Sequence, residues 1–179
     1  MSIKNKVIIF SIFLPAISCI YGILSKHGDI IMNSLLTILC ILVFIIIHKK
    51  FPYFKDKTYC AFLIFILLSV FAGRTLKIYM LIPHWDKILH FLSGFIFASA
   101  GSEIYIKLDG NCINRRLISF FAVIFAIAAA CVWEIYEFSI DKILNMSSQN
   151  GLNDTMWDMI AGTISAIIKV AVTDKILKL

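Results

Sequence analysis

The sequence has few charged residues and no pattern of cysteines that would define a covalent framework. Asp, Glu, Lys and Arg make up 16% of its 179 residues, whereas 60% are hydrophobic. This balance lies far outside that of a soluble globular domain and predicts a membrane protein. The cysteines are isolated, odd in number and without a CxxC pair, so they indicate neither a disulfide framework nor a thiolate metal site. They are Cys19, Cys40, Cys60, Cys112 and Cys131.

The chain also lacks a basic stripe, an internal repeat and a linker long enough to separate domains. Its net charge of +6 comes from Lys and Arg residues scattered at the ends of apolar segments. Such a distribution does not follow a phosphate backbone, so nucleic acid binding is not expected. Without repeats or linkers, residues 1–179 are predicted to form a single integral membrane domain.

Six apolar segments are long enough to cross a membrane. A span needs about 20 residues, because each helical residue rises about 1.5 Å across a hydrocarbon layer of about 30 Å. The chain is therefore predicted to be an all-α, polytopic membrane helix bundle with six transmembrane helices. The spans are predicted over residues 7–24, 30–47, 59–82, 88–106, 117–140 and 155–173.

The distribution of basic residues predicts the orientation of these spans. If the N-terminus is cytoplasmic, twelve of the seventeen basic residues lie inside, which satisfies the positive-inside rule and places both termini in the cytoplasm. The first apolar run is longer than the core of a cleaved signal, so a retained helix in a bacterial-type cytoplasmic membrane is expected. The twelve residues are Lys4, Lys6, Lys49, Lys50, Lys55, Lys57, Lys107, Arg115, Arg116, Lys169, Lys175 and Lys178.

Ionisable residues collect at the predicted outer face, on one stripe of each of three spans. Residues spaced by three, four or seven positions share one face of a helix. The stripes are Asp86 with His90 on span four, Glu134 with Glu137 and Asp141 on span five, and Asp154 with Asp158 on span six. The sequence leaves open whether Asp141 belongs with the others.

Several of these residues have a simpler interpretation. Asp86 has the position of a helix N-cap, and Thr155 with Asp158 has capping-box spacing. His90 could be a hydrogen-bonded structural histidine instead of a ligand. The three tryptophans directly precede acids and are placed as an interfacial aromatic belt would place them; they are Trp85, Trp133 and Trp157.

Glu134 and Glu137 do not fit the capping interpretation. They are predicted in the last turns of span five, where the negative end of the helix dipole disfavours acids. A carboxylate at membrane depth needs a cation, a donor or a proton. The candidate cations are Arg74, Lys77 and Lys87. An interhelical salt-bridge network linking spans three to six is therefore one hypothesis.

A divalent cation site is the other hypothesis for these acids. Six ligand-type side chains outnumber the three nearby basic residues, and carboxylate oxygens suit Mg, Mn or Ca, whereas a histidine admits Zn or Fe. One divalent cation, Mg, Mn or Zn, is the predicted cofactor. No HExxH or CxxC spacing identifies the ion. The predicted ligands are Asp86, His90, Glu134, Glu137, Asp154 and Asp158.

Three short motifs in the second half of the chain resemble a known family. They are "DKILHFLSGF" at Asp86–Phe95, "WEIYE" at Trp133–Glu137 and "DTMWDM" at Asp154–Met159. Over Asp86–Ala166 the chain resembles the YjdF-like inner-membrane proteins and, more loosely, the VanZ-like proteins. The second resemblance implies an action at the cell envelope. The chain departs from the VanZ pattern at Glu137 and Asp158, where amides are more usual.

Three functions are compatible with these residues. The first is a metal-assisted hydrolase or transferase for a lipid-linked phosphate or headgroup at the outer leaflet. Its predicted catalytic residues are Glu134, Glu137, Asp158 and His90, and its predicted substrate-binding residues are Arg74, Lys77 and Trp133.

The other two functions use the same acids without catalysing a reaction. A cation- or proton-coupled transporter would use them as its ion site, although no inverted repeat is visible. A non-catalytic envelope protein would use them as an interhelical salt-bridge network. Small residues at helix-packing spacing would serve internal packing as readily as a partner; they are Gly94, Ala98 and Gly101 on span four and Gly162 and Ala166 on span six. The sequence does not indicate an oligomeric state.

Overall fold

A computed structural model describes residues 1–109, 114–144 and 148–176, and within these ranges the ordered elements are all helical. The helices are α1 (Ile3–Ser25), α2 (Gly28–Lys50), α3 (Asp56–Ile66), α4 (Ile78–Leu81), α5 (Trp85–Asp109), α6 (Arg115–Leu144) and α7 (Leu152–Ile176). A π-helical segment, Leu67–Thr75, continues α3 without a break. Cys112 and Lys178 lie outside the described residues.

Six helices in the described ranges are long and apolar enough to cross a membrane, as the sequence predicts. The spans are Ile3–Ser25, Gly28–Lys50, Asp56–Thr75, Trp85–Leu108, Arg115–Ile143 and Leu152–Thr173. The predicted all-α, six-span architecture is therefore confirmed, while the cytoplasmic placement of both termini stays a prediction. The described cysteines are free thiols, namely Cys19, Cys40, Cys60 and Cys131.

The third span ends earlier than its apolar pattern predicts. The sequence suggests a helix to Ile82, whereas the helix ends at Thr75 and the short α4 follows separately. Lys77 between them has a left-handed backbone with φ 57°, a conformation that stops a right-handed helix. The turn brings the Tyr79 ring onto Gly73, where a Cβ would lie only 2.3 Å from the ring. Hydropathy alone does not detect this turn, because the residues beyond it are still apolar.

The chain divides into two compact units, Met1–Trp85 and Asp86–Leu179, which are described separately. In the first unit, a core of aromatic and aliphatic side chains joins α2 to α3 and its π-helical continuation; its buried members are Ile41, Tyr59, Leu63, Leu67 and Phe71. The prediction of a single domain over residues 1–179 stays a prediction.

The second unit contains α5, α6 and α7, held together by small residues. A Cβ on Gly94 of α5 would lie 2.0 Å from the carbonyl oxygen of Gly162 on α7, so only glycine fits there. A Cβ on Gly101 would meet the Phe125 side chain of α6 at 2.8 Å. A buried cluster of alanines fills the remaining contacts: Ala98, Ala122, Ala126 and Ala166. The small residues predicted as a packing face therefore pack inside this unit, and they allow its polar stripes to meet.

Candidate functional site

Asp86, His90 and Asp158 form a cluster between α5 and α7. One ligand-type atom from each lies within 4.8 Å of the other two. His90 and Asp158 are buried, with 5% and 2% of their surface exposed, and Asp86 is partly exposed. Asp86 and His90 share a face of α5 because they are one turn apart. The structure thus brings together three of the six predicted ligands, and their role as ligands stays a prediction.

Lys87 is the cation that pairs with the acids of α7. Its Nζ contacts Oδ1 of Asp154 and lies 3.2 Å from Oδ1 of Asp158. Asp154 also accepts a hydrogen bond of 3.1 Å from the Asn150 side chain. Since α7 begins at Leu152, Asp158 lies about two turns inside the helix. The capping-box interpretation of Asp158 is therefore wrong, because its side chain is buried against Lys87 instead of bonding to the first turn.

Glu134 places a third carboxylate beside His90, from α6. Its Oε1 lies 3.5 Å from Nε2 of His90, and Asp86 Oδ2 lies 3.9 Å from the same nitrogen. Glu134 is only 5% exposed. Its Oε1 has no hydrogen-bond partner within the part of the chain that the structure describes. A buried carboxylate oxygen without a donor is costly, so an ion or a proton would stabilise this position.

Gln149 contacts the backbone carbonyl oxygen and the second carboxylate oxygen of Glu134. Its Nε2 donates to the Glu134 carbonyl oxygen at 3.2 Å and lies 3.4 Å from Glu134 Oε2. Sequence reasoning missed this residue, because "SSQNGLND" is typical of a turn and contains no ligand spacing. The one available signal is that the turn directly follows a helix rich in acids.

Asp141 shapes the connection between α6 and α7. Its two carboxylate oxygens accept backbone hydrogen bonds from Ser148 at 2.7 Å and from Gln149 at 2.9 Å. Asp141 is not one of the three clustered ligand-type residues. Asp141 therefore lies in the last turn of α6, apart from the three clustered residues, and its carboxylate binds the backbone of Ser148 and Gln149.

The prediction that Glu134 and Glu137 lie at the negative end of the helix dipole is wrong, because α6 is longer than the apolar run suggests. The helix continues to Leu144, which places Glu134 about three turns and Glu137 about two turns before its end. The dipole effect is confined to the last turn. Asp141 is the acid in that turn, and backbone N–H groups satisfy it. The Glu134 carboxylate is therefore disfavoured by burial and by the lack of a hydrogen-bond donor to Oε1 among the described residues, not by the helix dipole.

Glu137 lies one turn beyond Glu134 and is bound to an aromatic side chain. Trp133 Nε1 donates a hydrogen bond of 3.0 Å to Glu137 Oε1, and the Trp133 and Tyr136 rings lie 5.4 Å apart. Trp133 is 41% exposed, as expected for an interfacial tryptophan. Glu137 is not among the three clustered residues. The catalytic role of Glu137 and the substrate-binding role of Trp133 stay predictions.

Arg74 and Lys77 belong to the first unit of the chain. Arg74 is an exposed residue near the end of the π-helical segment. Lys77 lies 3.7 Å from the exposed Asp29 carboxylate. Their predicted contribution to substrate binding stays a prediction.

The charges of the second unit leave an excess of acid around His90. Lys87 supplies one positive charge to two acids, Asp154 and Asp158. Asp86 and Glu134 lie within 4 Å of the His90 ring nitrogen, and Glu137 lies one turn beyond Glu134. Carboxylate oxygens together with an imidazole are a donor set that suits Zn, Mn or Fe. A protonated His90 between Asp86 and Glu134 would offset part of this charge without a metal. The arrangement can therefore bind a divalent cation or form an ion-pair network.

Comparisons with known proteins agree with the membrane architecture. A protein of Thermotoga maritima with the description "Uncharacterized protein" is 32% identical over 116 residues, which are 64% of this chain and 59% of that protein. The chain thus spans less than two thirds of the length of this relative. No solved structure matches the chain. The profile of the family described as "Predicted membrane protein (DUF2238)" matches residues 6–178. The chain therefore belongs to this DUF2238 membrane protein family.

Proposed function

We propose that this multi-pass protein of a bacterial-type cytoplasmic membrane binds one divalent cation at its outer face, through Asp86, His90 and Asp158. The observation that carries the proposal is the convergence of these three ligand-type side chains within 4.8 Å, two of them buried. The orphaned Oε1 of Glu134 beside His90 supports it independently. A buried carboxylate oxygen without a donor, beside a cluster of ligand-type side chains, is a position that a bound cation would stabilise.

The donor set narrows the choice of ion. Two carboxylates and one imidazole suit Zn or Mn better than Ca, which prefers a larger set of oxygens, and Mg remains an alternative if waters complete its shell. Three protein ligands with an open position are typical of catalytic zinc sites. A metal held in this way would supply an activated water and polarise a phosphoryl oxygen.

A lipid-linked phosphate or headgroup is the proposed substrate class, in a hydrolase or transferase reaction. A site on helices that span the bilayer, near their ends, lies at the depth of lipid headgroups. Glu134 and Glu137 are the acids left for proton transfer, and Trp133 lies beside Glu137 at the exposed surface. The looser resemblance of the sequence motifs to VanZ-like proteins supports an action at the cell envelope.

Metal analysis of the detergent-purified protein tests the cation site. After incubation with Zn²⁺, Mn²⁺ or Mg²⁺ and removal of excess ion, we expect about one equivalent in the wild type. His90→Ala and Asp158→Asn should lose it. Asp56→Asn is the matched control, because Asp56 is an exposed acid that pairs with Lys4 in the other unit. A folded wild-type protein that retains none of the three ions would overturn the proposal.

An interhelical ion-pair network is the second candidate, favoured by the contacts of Lys87 with Asp154 and Asp158. In that function a protonated His90 would form ion pairs with Asp86 and Glu134, and no metal would bind. The network predicts that Asp158→Asn lowers the thermal stability of a wild-type protein that contains no metal. Retention of metal by the wild type, with its loss in His90→Ala, would contradict this candidate.

A further inference from the structure

We infer that Gln149 is a positioning residue of the cation site, which sets its affinity by holding the Glu134 carboxylate beside His90. This inference rests on the proposed cation site and adds a residue outside the predicted ligands. Gln149 reaches the site from the α6–α7 connection, not from a membrane span.

The contacts of Gln149 restrict Glu134 to one orientation. Nε2 carries two N–H groups, and its two acceptors both belong to Glu134: the backbone carbonyl oxygen and Oε2. The carboxylate is therefore tied to the backbone of its own helix. With Oε2 occupied, Oε1 is the oxygen that faces Nε2 of His90 at 3.5 Å.

Asp141 fixes the backbone that carries Gln149. It accepts the backbone N–H groups of Ser148 and Gln149, so these two residues are held at the last turn of α6. A line of hydrogen bonds thus runs from Asp141 through Gln149 to Glu134, and Glu134 Oε1 lies 3.5 Å from the His90 ring. Groups that orient a metal-binding imidazole in this way commonly change metal affinity by 10–100-fold when they are removed.

The separation between Glu134 and His90 is compatible with one shared ion. Two ligands at about 2.1 Å from an ion with tetrahedral geometry lie about 3.4 Å apart, close to the observed 3.5 Å. Whether Glu134 touches the ion or only orients the imidazole, its effect depends on the orientation that Gln149 imposes. Loss of the Gln149 amide should therefore weaken cation binding without removing a ligand.

Titration calorimetry with Zn²⁺ and Mn²⁺ on the full-length protein in detergent tests this inference. Gln149→Met keeps the length of the side chain and removes its donors, so binding should weaken by about 10–100-fold. The same change in a Glu134→Gln background should have little further effect, because Gln149 acts through Glu134. Ser139→Ala is the matched control, since the Ser139 hydroxyl donates to the Ile135 carbonyl oxygen of its own helix. The cation affinity of this variant should equal that of the wild type.

The outcomes separate the inference from the proposed cation site. If the wild type binds the cation and Gln149→Met binds equally tightly, the inference is overturned while the cation site stands. An equal loss from Gln149→Met in both backgrounds also overturns it, because a merely structural role would not depend on Glu134. If Gln149→Met does not fold, Asp141→Asn takes its place with the same expectation. A wild type that binds neither ion overturns the cation site and the inference together.

Discussion

Glu134 Oε1 and His90 Nε2 lie 3.5 Å apart, and both side chains are buried between helices of the second unit. The distance allows an ion pair but is longer than a good hydrogen bond. Each residue comes from a different helix, so their approach depends on how closely α5, α6 and α7 pack.

Cation binding should stabilise the fold. A ligand that binds the native state at 100 times its dissociation constant stabilises it by about 2.7 kcal/mol. We expect Zn²⁺ or Mn²⁺ to raise the melting temperature of the wild type after chelator treatment, and to leave that of His90→Ala unchanged. Thermal unfolding in detergent, with and without the ion, measures this shift. A shift of equal size in His90→Ala would place the stabilising ion elsewhere.

Replacing Lys87 with Met should make stability depend more strongly on the cation. The change leaves Asp154 and the buried Asp158 without their ammonium partner, at a cost of about 1–2 kcal/mol because Lys87 is 30% exposed. A divalent cation can then replace the lost charge. The melting temperature should fall without metal and recover more on addition of Mn²⁺ than the wild type gains. Unchanged stability without metal would show that the pairing contributes nothing.

Gly94→Ala should destabilise the second unit. The added Cβ would lie 2.0 Å from the Gly162 carbonyl oxygen, so α5 and α7 must separate. Overpacking of this kind typically costs about 1–3 kcal/mol, and the separation should also weaken cation binding. Gly28→Ala is the control, because its Cβ meets nothing within 4 Å. Thermal unfolding of the two variants compares them, and equal stability would mean that the helices adjust without cost.

The predicted orientation places both termini in the cytoplasm. The basic residues of the loops, such as Lys49, Lys50, Arg115 and Arg116, are the reason for it. A reporter that is active only in the cytoplasm should be active when fused after residue 179. The same reporter inserted at Gly151, in the connection between α6 and α7, should be inactive. The reverse pattern would turn the acidic site toward the cytoplasm and remove the outer leaflet as the source of its substrate.

Much of the architecture follows from hydropathy, because a membrane requires every span to be long, apolar and helical. The two predicted spans without charge, residues 7–24 and 30–47, lie inside α1 and α2, which extend a few residues beyond them at each end. The third span does not, since the stop after Thr75 depends on a left-handed residue and on the close contact between Gly73 and Tyr79. An apolar sequence pattern does not predict such local geometry.

The sequence by itself determined the six helices, their polar stripes and the residues able to meet at one depth, because helical periodicity converts spacing into a shared face. Only the tertiary structure decided which of these residues meet. It grouped Asp86, His90 and Asp158, paired Lys87 with the acids of α7, and bound the Asp141 carboxylate to the backbone of Ser148 and Gln149. These outcomes depend on helix rotation and on close glycine packing, which act between segments far apart in the chain.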